Sequence, residues 1–101
     1  MRFYKELYVS DNCIEKKNKI CWKLKHHAGQ LNIFVITLAP GNDLLEIYHC
    51  AYLQQRYYKR TEQFIIGIAG GYEEAIALST KIIDEVYQNT GTTDVKRYFM
   101  E

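Results

Sequence analysis

Two stretches of the chain, LNIFVITLA (31–39) and FIIGIA (64–69), are apolar at successive positions and rich in β-branched residues. A strand half in water alternates apolar with polar side chains, because successive residues point to opposite faces of the sheet. A strand that does not alternate needs cover on both faces. The sheet must therefore be flanked by helices on two sides, or have its second face covered by another copy of the chain. With 101 residues, 48% of them apolar, the chain forms one domain able to supply either kind of cover.

The remaining segments fit around those two strands. FYKELYV (3–9) alternates, with Phe3, Leu7 and Val9 on one face and Tyr4, Glu6 and Tyr8 on the other, so it reads as a half-buried strand. SDNCIE supplies a helix start, with Asn12 and Glu15 spaced as a capping box. The spacing predicts a helix over about 12–28, stopped by Gly29, with Ile14, Cys21, Leu24 and Ala28 as its buried stripe. PGND (40–43) is a turn, because Pro40 fixes φ while Gly41 and Asn42 tolerate positive φ. LLEIYH should return from it as a short strand, completing a hairpin. CAYLQQRYYKR reads as a short helix with Cys50, Leu53 and Tyr57 on one face.

The clearest pattern is a last helix over about 71–89, in which Tyr72, Ala75, Ile76, Ser79, Ile82, Ile83 and Val86 fall on one side and Gly91 ends the run. The tail TTDVKRYFME keeps Val95, Tyr98 and Phe99 and should dock. The resulting order, β-α-β-β-α-β-α, describes a single α/β domain over residues 1–101, bordering on α+β, with a mixed four-stranded sheet and about three helices. It begins like a ferredoxin-like domain. That sheet, however, centres its first and third strands, whereas here the second and fourth are the strands apolar on both faces. A homodimer is expected as part of the cover.

No apolar run reaches the roughly 20 residues that span a bilayer. MRFYKELYVSDN lacks the apolar core of a secretory signal. The expectation is an intracellular, cytoplasmic protein without a membrane partner. Cys13, Cys21 and Cys50 match neither a redox pair nor a zinc spacing, and read as reduced small hydrophobes. Net charge is +1, but residues 1–30 hold seven Lys/Arg against three Asp/Glu, whereas 31–101 hold six against nine. Such asymmetry can orient self-association or attract a charged partner.

FIIGIAGGYEEAIALSTKII (64–83) places strand, glycine turn and helix start in the order that many phosphate sites use. A phosphate cradle wants no competing anion in the first helical turn, yet Glu73 and Glu74 stand there. GIAGGYEE matches neither the dinucleotide fingerprint nor the P-loop pattern. Gly70 and Gly71 are read as a strand-to-helix turn.

Other residues offer weaker chemistry. Lys16, Lys19 and Lys23 share a helical stripe, continued by His26 or His27, with Trp22 nearby; RYYKR adds Arg56, Lys59 and Arg60 with aromatics between them. Both clusters could meet a nucleic acid, although a pI near 7.7 and the absence of an RNA-recognition signature weigh against it. His49 and Cys50 are adjacent, so their side chains diverge and do not form a nucleophile–base pair. His26 and His27 diverge likewise, and neither a metal site nor a cofactor is expected. Glu73 with Glu74 and Asp84 with Glu85 lie off the apolar stripe and read as solvated charge.

Tyrosine suits interfaces because it joins apolar area to a polar tip. Tyr4, Tyr8, Tyr48, Tyr52, Tyr57 and Tyr58 therefore form the expected contact surface of a small protein-interaction module that binds itself or another protein. The alternatives are a nucleic-acid accessory protein using the two basic clusters, and a small enzyme centred on Cys50 and a histidine.

Overall fold

In the computed structural model, residues 2–38, 45–54 and 64–100 are described. Four strands, β1 (Arg2–Val9), β2 (Phe34–Leu38), β3 (Leu45–His49) and β4 (Phe64–Ala69), form one sheet in the order β1-β4-β2-β3. The two doubly apolar strands are the central ones, as their composition requires. β1 runs parallel to β4, while β2 is antiparallel to both β4 and β3, so the sheet is mixed. The expected hairpin is therefore present, although its turn at 40–43 lies outside the described residues.

Each face of the sheet carries its own core. On one side Ile65 and Ile68 of β4 and Val35 of β2 pack with Cys13, Ile20 and Leu24. These last three come from a 3₁₀ segment (Asp11–Lys16) that runs into helix α1 (Lys17–Lys25). On the other side Ile66 and Ala69 of β4 and Ile36 of β2 meet helix α2 (Tyr72–Thr90) through Ala75, Leu78, Ile82 and Val86. The tail docks on this second face as helix α3 (Val95–Met100), burying Val95 and Phe99. The sheet is thus sandwiched by helices of the same chain.

Ile65 and Ile68 share a face despite their odd separation, because β4 bulges against β2. Thr37 pairs with Ile65 and Ile36 with Gly67, which leaves Ile66 as the extra residue. Gly67 follows from that crowding, since a Cβ there would stand 3.3 Å from both the Tyr8 carbonyl and Ile36 Cδ1.

Three expectations for the first helix are corrected. The first helix opens as a 3₁₀ turn whose N-cap, Ser10, makes no side-chain capping bond. The capping box of Asn12 and Glu15 does not form, because the Asn12 side chain bonds Ser10 and Gly70 instead. The 3₁₀ turn advances about 120° per residue rather than 100°. This shifts the buried stripe to Cys13, Ile20 and Leu24, with Cys21 half-buried and Ile14 left 57% exposed. The helix also ends early, at Lys25, with His27 rather than Gly29 as the residue that stops it. His27 takes φ 55°, its N–H bonds the Leu24 carbonyl, and the Ala28 N–H bonds the Lys23 carbonyl. That is a Schellman ending with histidine in the position glycine usually fills.

Along α2 the buried stripe is Ala75, Leu78, Ile82 and Val86, while Tyr72, Ile76 and Ile83 turn outward. Gly91 ends the helix as expected, at φ 76°. In the middle of the chain a 3₁₀ turn spans Cys50–Gln54. The rest of the short helix expected there lies outside the described residues, and with it Arg56, Tyr57, Tyr58, Lys59 and Arg60.

Candidate functional site

β1 and β4 are parallel neighbours, yet the helices that follow them go to opposite faces of the sheet. In α/β sheets such a reversal opens a crevice beyond the carboxyl ends of the strands, where ligands commonly bind. Here a knot of hydrogen bonds ties the segments after β1 and β4 together. The Ser10 hydroxyl accepts the Gly70 N–H at 3.0 Å and donates to Asn12 Oδ1 at 2.6 Å. Asn12 Nδ2 and Asn32 Nδ2 each donate to the Gly70 carbonyl at 3.0 Å. Asn32 reaches it from a left-handed backbone, φ 58°, that asparagine tolerates better than most residues.

Beside this knot, on the α1 side, lies an open cleft of about 500 Å³. Lys16, Lys19 and Lys23 form one wall, and Gly29, Gln30, Leu31 and Asn32 form the other. No carboxylate is among the described residues that line it. Gln30 is held from both ends: its Nε2 donates to the Ile20 carbonyl at 3.3 Å, and its own carbonyl accepts the Cys50 thiol at 3.4 Å. The three lysines singled out from the sequence are therefore brought together around one concave surface. The second half of the proposed basic surface, Arg56 to Arg60, lies outside the described residues.

The glycine turn borders the cleft through Gly70 but does not form an anion cradle. Gly71 has φ 147°, and a Cβ on it would collide with the Glu74 carboxylate, which folds back over the start of α2. The helix thus supplies its own anion to its positive end. A smaller hollow of about 340 Å³ on the α2 side carries mixed charge, from Asp11, Glu74 and Lys81.

The tyrosines are divided. Tyr4 and Tyr8 stack at 6.2 Å on the α2 face of the edge strand β1, where both rings meet Phe99 edge-on. Tyr48 packs against the opposite core, on the other edge strand β3, beside the half-exposed Tyr52. The two pairs therefore occupy opposite edges and opposite faces of the sheet. Tyr57 and Tyr58 lie outside the described residues.

Cys50 is buried and donates to a backbone carbonyl, while His49 Nδ1 accepts the Ala51 N–H at 3.1 Å. Burial raises the Cys50 thiol above its ordinary pKa, against a smaller opposing effect from backbone hydrogen bonds. Burial likewise raises Cys21, against the nearby Lys17 and Lys25 charges. His26 stacks on Trp22 at 4.2 Å. Among the described residues, no three His, Cys, Asp or Glu side chains gather as a metal site needs, and no helix is long and apolar enough to cross a membrane.

Reading from sequence missed the far wall of the cleft and the knot behind it. The apolar pattern places residues 31–33 in a strand that begins only at Phe34, and the spacing to Glu15 assigns Asn12 to capping. The available signal was Asn32, a residue that breaks an apolar run and favours a left-handed turn.

Comparison with protein-family models, with curated proteins and with solved structures finds no match to this chain.

Proposed function

We propose that the chain is a small binding module and that its ligand is anionic, received in the cleft walled by Lys16, Lys19 and Lys23. The observation that carries this reading is the charge of the lining: three lysines border one concavity whose described residues include no carboxylate. Lys16, Lys19 and Lys23 sit three and four positions apart, where like charges on a helix destabilise it by a few tenths of a kcal/mol per pair. An anion between them would remove that repulsion. The carboxamides of Gln30 and Asn32 and the backbone around Gly29 add polar groups to the opposite wall. Free Cys13, Cys21 and Cys50 support the reducing interior of a cell as the place where this happens.

The test is a titration of the isotopically labelled protein with pyrophosphate at low salt, followed by amide NMR. Shifts should concentrate on residues 16–23, 29–33 and 70. In the triple variant Lys16→Gln, Lys19→Gln, Lys23→Gln they should vanish while the fold is kept, with stability unchanged or slightly higher. Shifts scattered over the molecule, or surviving in the triple variant, would remove the cleft as the site.

A further inference from the structure

Resting on the cleft as an anion site, we infer that its ligand is a single-stranded nucleic acid, with phosphates along Lys16, Lys19 and Lys23 and an unpaired base on the Trp22–His26 ring pair. Trp22 is the chain's one tryptophan, and it stands 58% exposed on α1. Indole is among the largest apolar side chains and is usually well buried, so its exposure calls for an occupant. It also has a ring neighbour. The His26 ring lies over it at 4.2 Å and 24° between planes, and His26 Nδ1 is 2.8 Å from the Trp22 carbonyl. The result is a stacked two-ring platform on the surface.

The position of that platform relative to the lysines selects the ligand. Trp22 follows Lys19 by three residues and His26 follows Lys23 by three, so the ring pair forms the helical ridge next to the lysine row. Lys16 to Lys23 covers about 10 Å along the helix, two to three nucleotide steps at the roughly 3.4 Å spacing of stacked bases. A chain with one negative charge per step and a flat apolar face on each residue can occupy the lysine row and the ring pair together. Base-on-aromatic stacking beside a basic groove is the general mode by which unpaired strands are held without a sequence code. A duplex keeps its base faces inside the stack and would leave the platform empty. An acidic peptide would satisfy the lysines but brings no matching flat face.

The deciding experiment titrates the intact protein with an end-labelled oligouridylate or oligothymidylate. Binding is followed by anisotropy and by Trp22 fluorescence, with a duplex of equal length, a polyglutamate and inorganic polyphosphate as parallel arms. The single strand should bind best and quench Trp22. Trp22→Leu should weaken it roughly 5- to 150-fold, one stacked base's worth, while leaving polyphosphate binding unchanged. With about three phosphates neutralised, affinity should fall about 20-fold between 50 and 200 mM salt, and this dependence should flatten in the triple lysine variant. If single strand, polyglutamate and polyphosphate bind alike without quenching, and Trp22→Leu changes nothing, the nucleic-acid inference fails while the anion cleft stands. If nothing binds at low salt, both fail.

Discussion

Tyr8 shows how one side chain can belong to a core and still carry a polar group into it. Its ring packs in the α2 core near Tyr4 and Phe99, and its hydroxyl donates to Glu85 at 2.6 Å. Burial is the largest cause raising the Tyr8 phenol above its ordinary value of 10.0, followed by the Glu85 hydrogen bond and charge. A group whose pKa is raised by folding holds its proton more tightly in the native state. Its contribution is then complete below the unfolded value and declines as pH climbs from there through the folded one. Unfolding free energy should therefore lose an increment above about pH 10 that a Tyr8→Phe variant does not lose, and that variant should be about 1 kcal/mol less stable at neutral pH. Urea unfolding of both proteins from neutral to strongly alkaline pH checks this, and identical alkaline declines would show that Tyr8 titrates as a free phenol. The face on which Tyr4 and Tyr8 lie was legible from period-two alternation alone. That this face points inward was not, because its lid, Phe99, comes from the far end of the chain.

The helices show the same division between pattern and placement. Along α2 the apolar arc is wider than the stripe that the sheet covers. Periodicity therefore gave the helix, its length and its C-cap correctly, yet centred the buried face one ridge too far round. Ile82 is fully buried, whereas its neighbour Ile83 is 37% exposed. Ile82→Ala should cost about 2–4 kcal/mol, as transfer and cavity terms add, and Ile83→Ala less than about 1 kcal/mol. Equal losses in chemical denaturation would mean that α2 is rotated from the orientation described. In α1 the error has a different source, since no residue type announces a 3₁₀ opening turn, and that turn sets the phase of everything after it. The lysine stripe survived the shift because Lys16, Lys19 and Lys23 lie far enough round from the buried ridge. The cleft they line depends on residues 29–33 and on the knot at Gly70, which join through contacts between segments distant in sequence.

Two doubly apolar strands demanded cover on both faces, and a second copy of the chain was one way to provide it. The chain provides it alone: α1 with its 3₁₀ turn closes one face, and α2 with α3 closes the other. Ile36, Ile65, Ile66 and Ile68 are all at 0% exposure without any partner present. A homodimer is therefore not needed to complete the core. Among the described residues, one apolar surface open to self-association is the outward ridge of α2, where Tyr72, Ile76, Ile83 and Tyr87 remain 57, 44, 37 and 53% exposed. Partner binding that completes a core stabilises the fold by mass action, so the unfolding midpoint then climbs with protein concentration. For this chain the midpoint in urea should stay constant over roughly a hundredfold range of concentration, as for a fold closed within one chain. Ile83→Glu, placed on the outward ridge, should leave that midpoint nearly unchanged while abolishing any dimer seen by sedimentation. A midpoint that rises with concentration, and falls in Ile83→Glu, would show that the sandwich is finished only when two chains meet.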